Sequence, residues 1–433
     1  MGFRSNIRAV KLASIPVAAI LAWTAVVGYG VFAGWWHRTF APAGDTPAFM
    51  AAARKFVSAE PHGDVAIALL ANGQVSGEHY AGGAAAHAVN RETVFPVASM
   101  SKWVTAVGVM QLAQQGKIDL DAPVSRYLTR WKFPASAFDL GGVTVRKLLS
   151  HTAGLTDGLG FGDYGLDERI PALEESLRAP RASGGRPAVI VVGNQPGSRW
   201  KYSGGGYLIL QLLVEEVTHE PFSAFMRRSV LDPLDMRCSS FDSVSPPNIA
   251  EAYDKAGHAA SRFKYAAAAA TGFSTCVQDM IRWVQANTRG GRAGGPADSA
   301  LLRRMREPHG RQFGADIWGL GVMLYAPTAA DGGFVFGHDG QNEPAINASV
   351  RINPHNGEAI VVLTSGGRML ATRLASEWIY WQTGGPDFLV IGEAIREAVL
   401  PLAAGWAVAI AVIVLFARRR RMAIQIPRNV GES

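Results

Sequence analysis

Two uncharged apolar runs bracket this chain, and the pattern between them changes character once. Residues 12–36 carry no charged side chain over 25 positions, and residues 398–417 carry none over 20. At about 1.5 Å per residue, either run can cross a hydrocarbon core of roughly 30 Å. Between the runs, Thr46-Pro47 predicts a capped helix start, with Phe49, Ala52, Ala53 and Phe56 on one face. Residues 64–70 read as an apolar strand, Asn72-Gly73 as a hairpin turn and 74–80 as the return. A long apolar helix follows, with Trp103, Val104, Val107, Val109, Met110 and Leu112, closed by Gly116. Leu208, Leu210, Leu212, Leu213 and Val217 mark a second helix, 222–231 a third, and Thr271 to Cys276 opens a fourth. Residues 156–195 are rich in Gly, Pro and charge, which predicts a long loop that serves as a lid. Residues 288–298 predict a Gly-rich loop.

The last third is different. Residues 318–325, 334–338, 345–352 and 359–364 predict antiparallel strands, and 369–382 predicts a helix. Strands open and close the central region and helices fill it. That is an α+β layout in which the terminal segments share one sheet.

Charge refines the picture. The formal net charge is +7. Arg4, Arg8 and Lys11 carry three of those charges, and Arg418 to Arg421 with Arg428, less Glu432, carry the other four. Residues 12–417 are therefore neutral, which argues against a nucleic-acid partner. Basic residues flank the outer ends of both apolar runs. The positive-inside rule then predicts both termini in the cytoplasm and the middle outside it, in the periplasm or at the cell exterior. The expected organisation is a cytoplasmic tail (1–11), a transmembrane helix or signal anchor (12–36), a folded domain (45–382), a second transmembrane helix (398–417) and a basic cytoplasmic tail (418–433). A cleaved signal peptide is the competing reading of the first run. The two cysteines, Cys238 and Cys276, either pair in an oxidising compartment or are unrelated small buried residues.

The candidate chemistry sits at the head of the first long helix. Ser99 and Lys102 stand three residues apart, about one helical turn, so hydroxyl and amine share a face. A lysine in an apolar helix is costly unless it is paired or loses its proton. Burial lowers its pKa, and a neutral amine can take a proton from a serine. The S-x-x-K pattern occurs three times, the others being Ser198 to Lys201 and Ser261 to Lys264, but only Ser99 opens a buried helical pattern. His151 reads either as a catalytic residue or, as the favoured alternative, as a cap and brace at the end of a short helix. No Cys/His cluster suggests a metal.

Ser99-Met100-Ser101-Lys102, Tyr202-Ser203-Gly204 and His338-Asp339-Gly340 occur in that order, with Val143 to Leu155 between the first two. This set resembles the motifs of the serine β-lactamase and penicillin-binding superfamily, in its class C-like branch with esterases and D-aminopeptidases. The resemblance implies an antiparallel sheet flanked by helices, an inserted helical subdomain and an acyl-enzyme mechanism without cofactor or metal. It assigns Ser99 as nucleophile, Lys102 and Tyr202 as its proton partners, and His338, Gly340 and Gln341 as substrate-binding residues. The backbone N–H groups of Ser99 and Gln341 would form the oxyanion hole. His338 would lie on an edge strand and face the substrate. Two departures matter. The second motif of many relatives ends in Asn, and here it ends in Gly204. The third motif of typical class C β-lactamases begins with Lys, and here it begins with His338. Both weaken β-lactam hydrolysis more than acyl transfer in general.

The expectation is a membrane-anchored serine hydrolase acting outside the cytoplasm on small ester, acyl or peptidyl substrates, esterase-like. The alternatives are a D,D-carboxypeptidase or penicillin-binding protein, a β-lactamase, and a non-catalytic ligand sensor.

Overall fold

The computed structural model describes all residues except 1, 84–87, 159–162, 183–186, 243–245, 289–297, 329–332, 344 and 425–433, and the side chains of 2–16 and 419–424. Most of the Gly-rich loop expected at 288–298, and parts of the expected lid at 156–195, lie outside the described residues. The chain divides into two compact units, Phe40–Thr383 and a second made of Met1–Thr39 with Gly384–Ser433.

In the larger unit, helix α2 (Thr46–Ala59) precedes strands β1 (Val65–Ala71) and β2 (Gln74–Ala81). Asn72 and Gly73 both take positive φ, as the tight hairpin between β1 and β2 requires. A largely helical insert follows. It holds β3 (Val94–Pro96), α3 (Ser101–Gln114), α4 (Val145–Leu149), β4 (Asp163–Tyr164), α5 (Leu173–Arg178) and α6 (Gly205–Thr218). It continues with α7 (Phe222–Met226), β5 (Lys264–Tyr265), α8 (Ala268–Thr271), β6 (Ser274–Cys276), α9 (Val277–Thr288) and α10 (Ser299–Met305). The chain then returns as β7 (Gly310–Gln312), β8 (Ala315–Trp318), β9 (Met323–Pro327), β10 (Phe334–Asn342), β11 (Ile346–Asn353), β12 (Glu358–Ser365) and α11 (Leu370–Thr383).

Eight described strands form one antiparallel sheet in the order β2-β1-β12-β11-β10-β9-β8-β7. The first strand pairs with the last, Ile67 opposite Val362, so the ends of the unit close its sheet as the pattern predicted. Strand β11 is buried along its whole length. Its Ala348, Val350 and Ile352 join the apolar core with Trp103 of α3 and Val284 of α9. Its Asn347 and Arg351, on the opposite face, hydrogen-bond Thr372 of α11. The sheet is therefore a middle layer between α3/α9 and α11.

Four local expectations change. Asp45, not Thr46, caps α2, its Oδ1 accepting from the Ala48 N–H at 2.9 Å. Residues 318–325 are two strands, because the chain turns through Gly319 to Val322, with Gly321 at positive φ. The segment expected to open a helix at Thr271 is the end of α8 and then β6; α9 starts at Val277. The insert is not purely helical, since β3 pairs with β6 and β4 with β5.

The smaller unit holds α1 (Gly2–Phe32), α12 (Ile391–Glu397) and α13 (Val399–Ile424). The stretch Ile391–Arg418 is the one described helical stretch long and apolar enough to cross a membrane; Val17–Phe32 is a shorter apolar helix. Val27 and Val31 pack with Ala394 and Ala398. Trp23 Nε1 donates to the Pro401 carbonyl at 3.1 Å and Trp406 Nε1 to Thr24 Oγ1 at 3.1 Å. Late residues of α1 meet early residues of the second helix pair, so the two run antiparallel.

Cys238 and Cys276 form a disulfide that staples the loop after α7 to β6. The bridge closes a loop with a sequence separation of 38, a constraint worth roughly 4 kcal/mol by chain entropy. Denatured, unreduced protein is expected to show no titratable thiol. The double variant Cys238→Ala/Cys276→Ala is expected to lose about 3–4 kcal/mol in denaturant unfolding.

Candidate active site

Ser99 lies on a 3-10 turn, Ala98–Met100, that leads into α3. The turn is held tightly. Ala98 takes φ of +44°, a strained value for a residue with a side chain. The Val97 N–H donates to the Phe273 carbonyl at 3.1 Å, and Ser101 Oγ donates to the Ala98 carbonyl at 2.5 Å. Ser101 Oγ also accepts from the Phe273 N–H at 2.9 Å. The middle serine of the first motif therefore fixes the turn that presents its neighbour.

Lys102 is 1% exposed. Its Nζ donates to Ser99 Oγ at 3.2 Å and to the Ala270 carbonyl at 2.8 Å. Burial lowers its pKa to about 7, a fall opposed by the charge of Asp157. The amine is thus poised to exchange a proton near neutral pH. The other S-x-x-K pairs do not assemble this way. Ser198 Oγ donates to the Gln195 carbonyl, and Lys264 Nζ to the Glu168 carbonyl.

Tyr202 closes the site from the second motif. Its ring lies beneath Lys102, with Nζ 4.9 Å from the centroid, and Ser99 offsets part of the effect of burial on its phenol. Burial holds its pKa well above the ordinary phenol value, so Tyr202 is a neutral phenol at pH 7. His151 positions it. The Lys201 N–H donates to the His151 carbonyl at 2.8 Å and the Ser203 N–H to His151 Nδ1 at 3.2 Å. The imidazole lies 4.3 Å from the Tyr202 ring. His151 braces the second motif on both sides of the tyrosine, and burial keeps it neutral. Trp318 packs on His151, Tyr202 and His338 at ring separations of 4.7, 5.6 and 5.3 Å.

His338 sits on β10, which is an interior strand rather than the expected edge. The expectation survives in part, because β9 pairs with β10 only from Phe334 to Gly337. The stretch 338–342 is unpaired on that side and lies against the Ser99 turn. His338 is 1% exposed, and its Nδ1 lies 2.6 Å from the Asp339 carbonyl. Burial and the nearby Lys102 charge push its pKa down to about 3, so it is neutral. Gly340 is required by contact: a Cβ there would overlap the Val97 carbonyl oxygen. Gln341 follows, exposed, at the open end of the strand.

Gly204 opens a run of three glycines, residues that can take positive φ at no steric cost. It has φ −72°, ψ −37° and caps α6 with ordinary helical geometry. The tight glycine is Gly205, whose Cβ would overlap the Ile190 side chain.

Sequence reasoning missed Asp157, Trp318 and Asp339. Asp157 stands two residues past the segment already singled out, and Asp339 is the middle of the third motif. Asp339 points away from Ser99, into a buried polar layer. It accepts from Tyr325 Oη at 2.7 Å, Ser349 Oγ at 2.6 Å and Thr372 Oγ1 at 2.6 Å, and pairs with Arg351 at 3.4 Å.

Among the described residues, one group has metal-ligand spacing: Cys238, Cys276 and Asp279. Its two sulfurs are bonded to each other, and Asp279 is engaged by Ser239 and the Cys238 N–H.

Residues 52–379 match the family model described as Beta-lactamase. Esterase EstB of Burkholderia gladioli is 34% identical over 176 residues, covering 38% of this chain and 43% of that protein. Penicillin-binding protein 4* of Bacillus subtilis is 28% identical over 144 residues, covering 33% and 30%. The chain thus aligns with less than half the length of these two curated relatives. The octameric penicillin-binding protein homologue from Pyrococcus abyssi shares the fold at TM-score 0.64 and 20% identity, covering 79% of this chain and 78% of that one. A β-lactamase/D-alanine carboxypeptidase from Pseudomonas syringae shares it at TM-score 0.60 and 18% identity, covering 76% and 97%. With the family model spanning most of the larger unit, the chain belongs to the Beta-lactamase family.

Proposed function

We propose that this protein is a membrane-anchored serine hydrolase that acts outside the cytoplasm and prefers small esters. The observation that carries the reading is the Ser99–Lys102 contact of 3.2 Å with the amine fully buried. In the first step the proton of Ser99 Oγ passes to neutral Lys102. The freed oxygen pair bonds the substrate carbonyl carbon, and the carbonyl π pair moves onto its oxygen. The N–H groups of Ser99 and Gln341 would receive that oxyanion, each such donor being worth about 3 kcal/mol. Collapse expels the leaving group, which takes its proton from Lys102 through the Tyr202 hydroxyl. Water then repeats the sequence on the acyl-enzyme. Because Tyr202 is a neutral phenol, it fits a relay rather than a resident base.

The ester preference rests on His338 and Gly204. A neutral buried imidazole offers no fixed cation to a substrate carboxylate, and Gly204 offers no amide to a peptide or β-lactam. Membrane anchoring is supported by the apolar stretch Ile391–Arg418 and by the basic flanks of both runs. The Cys238–Cys276 bridge supports an oxidising compartment, hence a position outside the cytoplasm.

On this reading Ser99→Ala loses both turnover and fluorophosphonate labelling. kcat/KM for a short-chain p-nitrophenyl ester exceeds that for a chromogenic cephalosporin by at least about tenfold. Cephalosporin turnover equal to the ester rate would restore a β-lactamase assignment.

Lys102 gives a second test. Its folded pKa, about 7, lies below the ordinary 10.5, so the unfolded chain binds more protons between those values. Stability therefore rises with pH across that window, and the penalty is full below it. Lys102→Met is expected to abolish activity and to stabilise the fold by on the order of a few kcal/mol at pH 6. That gain shrinks as pH approaches about 10, read by denaturant unfolding at each pH.

Topology is checked with reporters. Fusions after Gly385 are expected to be active only outside the cytoplasm and fusions after Ser433 only inside. A mature N-terminus mapped near residue 40 would replace the first anchor with a cleaved signal.

A further inference from the structure

Asp157 belongs to none of the three motifs, yet it touches the second and acts on the first. Its Oδ1 accepts from Ser203 Oγ at 2.7 Å and its Oδ2 from the Gly205 N–H at 3.0 Å. Ser203 Oγ in turn accepts from the Gly206 N–H at 2.9 Å. The carboxylate therefore sits on the first turn of α6, where unpaired N–H groups and the helix dipole favour negative charge. Gly205 makes room for it as well as for Ile190, since a Cβ there would come within 2.7 Å of Ile190 Cγ1 and 3.1 Å of Asp157 Cγ. One side chain thus ties the loop after α4 to the residues immediately following Tyr202.

Among the described residues, few titratable groups face Lys102. From the end of α4 comes His151, and from β10 comes His338, both held neutral by burial. Tyr202 and Tyr207 face the amine through their rings, and burial raises both phenol pKa values. Asp157 is the carboxylate whose charge favours the protonated amine. Lys201, whose Nζ donates to the Thr156 carbonyl at 3.4 Å, is the cation that faces Asp157 itself.

We propose that Asp157 is a positioning residue for the Ser99–Lys102 pair: it seats the second motif and supplies the counter-charge that stabilises Lys102 once the lysine has taken the serine's proton. The inference rests on the assignment of Ser99 and Lys102 above. Its sign is definite. Removing the carboxylate makes the ammonium less favourable, so Lys102 becomes neutral at lower pH and is a weaker base.

The experiment uses the full chain in detergent and follows the rate of fluorophosphonate labelling of Ser99 against pH. Wild type is expected to show an acid limb near pH 7. Asp157→Asn keeps an acceptor for Ser203 and is expected to shift that limb down by about one pH unit. Its high-pH plateau is expected to fall about tenfold. Asp157→Glu, which restores the charge, is expected to return the limb towards wild type. A folded Asp157→Asn whose limb does not move overturns the proposal, whatever its plateau, because a brace alone would change rate and not pH dependence. Should Asp157→Asn fail to fold, Asp157→Ser is read by the same criterion. Failure of the underlying assignment looks different: wild type would then not label at Ser99 at any pH.

Discussion

Everything in the larger unit is arranged around a lysine that has no solvent. Lys102 is enclosed by α3, the Ala270 carbonyl and the rings of Tyr202 and Tyr207. Burying an ammonium costs several kcal/mol unless it is paired. The site meets part of that cost with one carbonyl, two π faces and the charge of Asp157. The rest appears as a pKa near 7. A fully compensated lysine would stay charged and could not deprotonate Ser99. On the proposed mechanism the incomplete compensation is what lets Lys102 act as a base, and the stability deficit it leaves must be covered by the core around it.

The sheet is what makes that core rigid on the catalytic side. Strand β10 alternates its side chains across two environments. His338 and Gly340 face the Ser99 turn, and Asp339 faces α11. Asp339 anchors through Tyr325, Ser349, Thr372 and Arg351, drawn from β9, β11 and α11. With its acceptors satisfied, a buried carboxylate fixes the strand instead of destabilising it. The glycine next to it then lets the strand lie directly on the Val97 carbonyl. The three consecutive residues of the third motif thus do three separate jobs: an aromatic contact with Trp318, an anchor on the far face, and close backbone approach.

Much of this was legible from residue order. The helix headed by Ser99, the Asn72-Gly73 hairpin and the pairing of first and last strands follow from periodicity and turn chemistry. So do Ser99 and Lys102, because a lone lysine in an apolar helix is anomalous without a function. What periodicity could not reach is whatever depends on contacts between distant segments. Asp157 and Ser203 are 46 residues apart and meet only because α4 and α6 pack together. The break within 318–325 was hidden because its residues are apolar throughout, and only Gly319 and Gly321 signalled a turn. The resemblance places His338 on an edge strand facing the substrate, and a strand's neighbours cannot be read from its own sequence to correct that.

The second motif shows how such packing narrows the chemistry. Gly204 has helical backbone angles, so its glycine is not demanded by φ. What the chain gains from small residues here is proximity. Gly205 lets the start of α6 close on Asp157 and Ile190. An Asn side chain at 204 would add a donor and acceptor for an amide substrate at the mouth of the same helix. On the proposed ester preference, its absence, together with a neutral His338, leaves the carbonyl of the substrate as the group the site would grip best. An amide needs its poor leaving group protonated and its N–H held, whereas an ester needs chiefly an activated nucleophile and an oxyanion site. Losing one hydrogen bond to a charged or buried group weakens a transition state by about 1.5–3 kcal/mol. On the proposed reading that is a ten- to hundredfold bias by about 1.4 kcal/mol per decade, falling on amides more heavily than on esters.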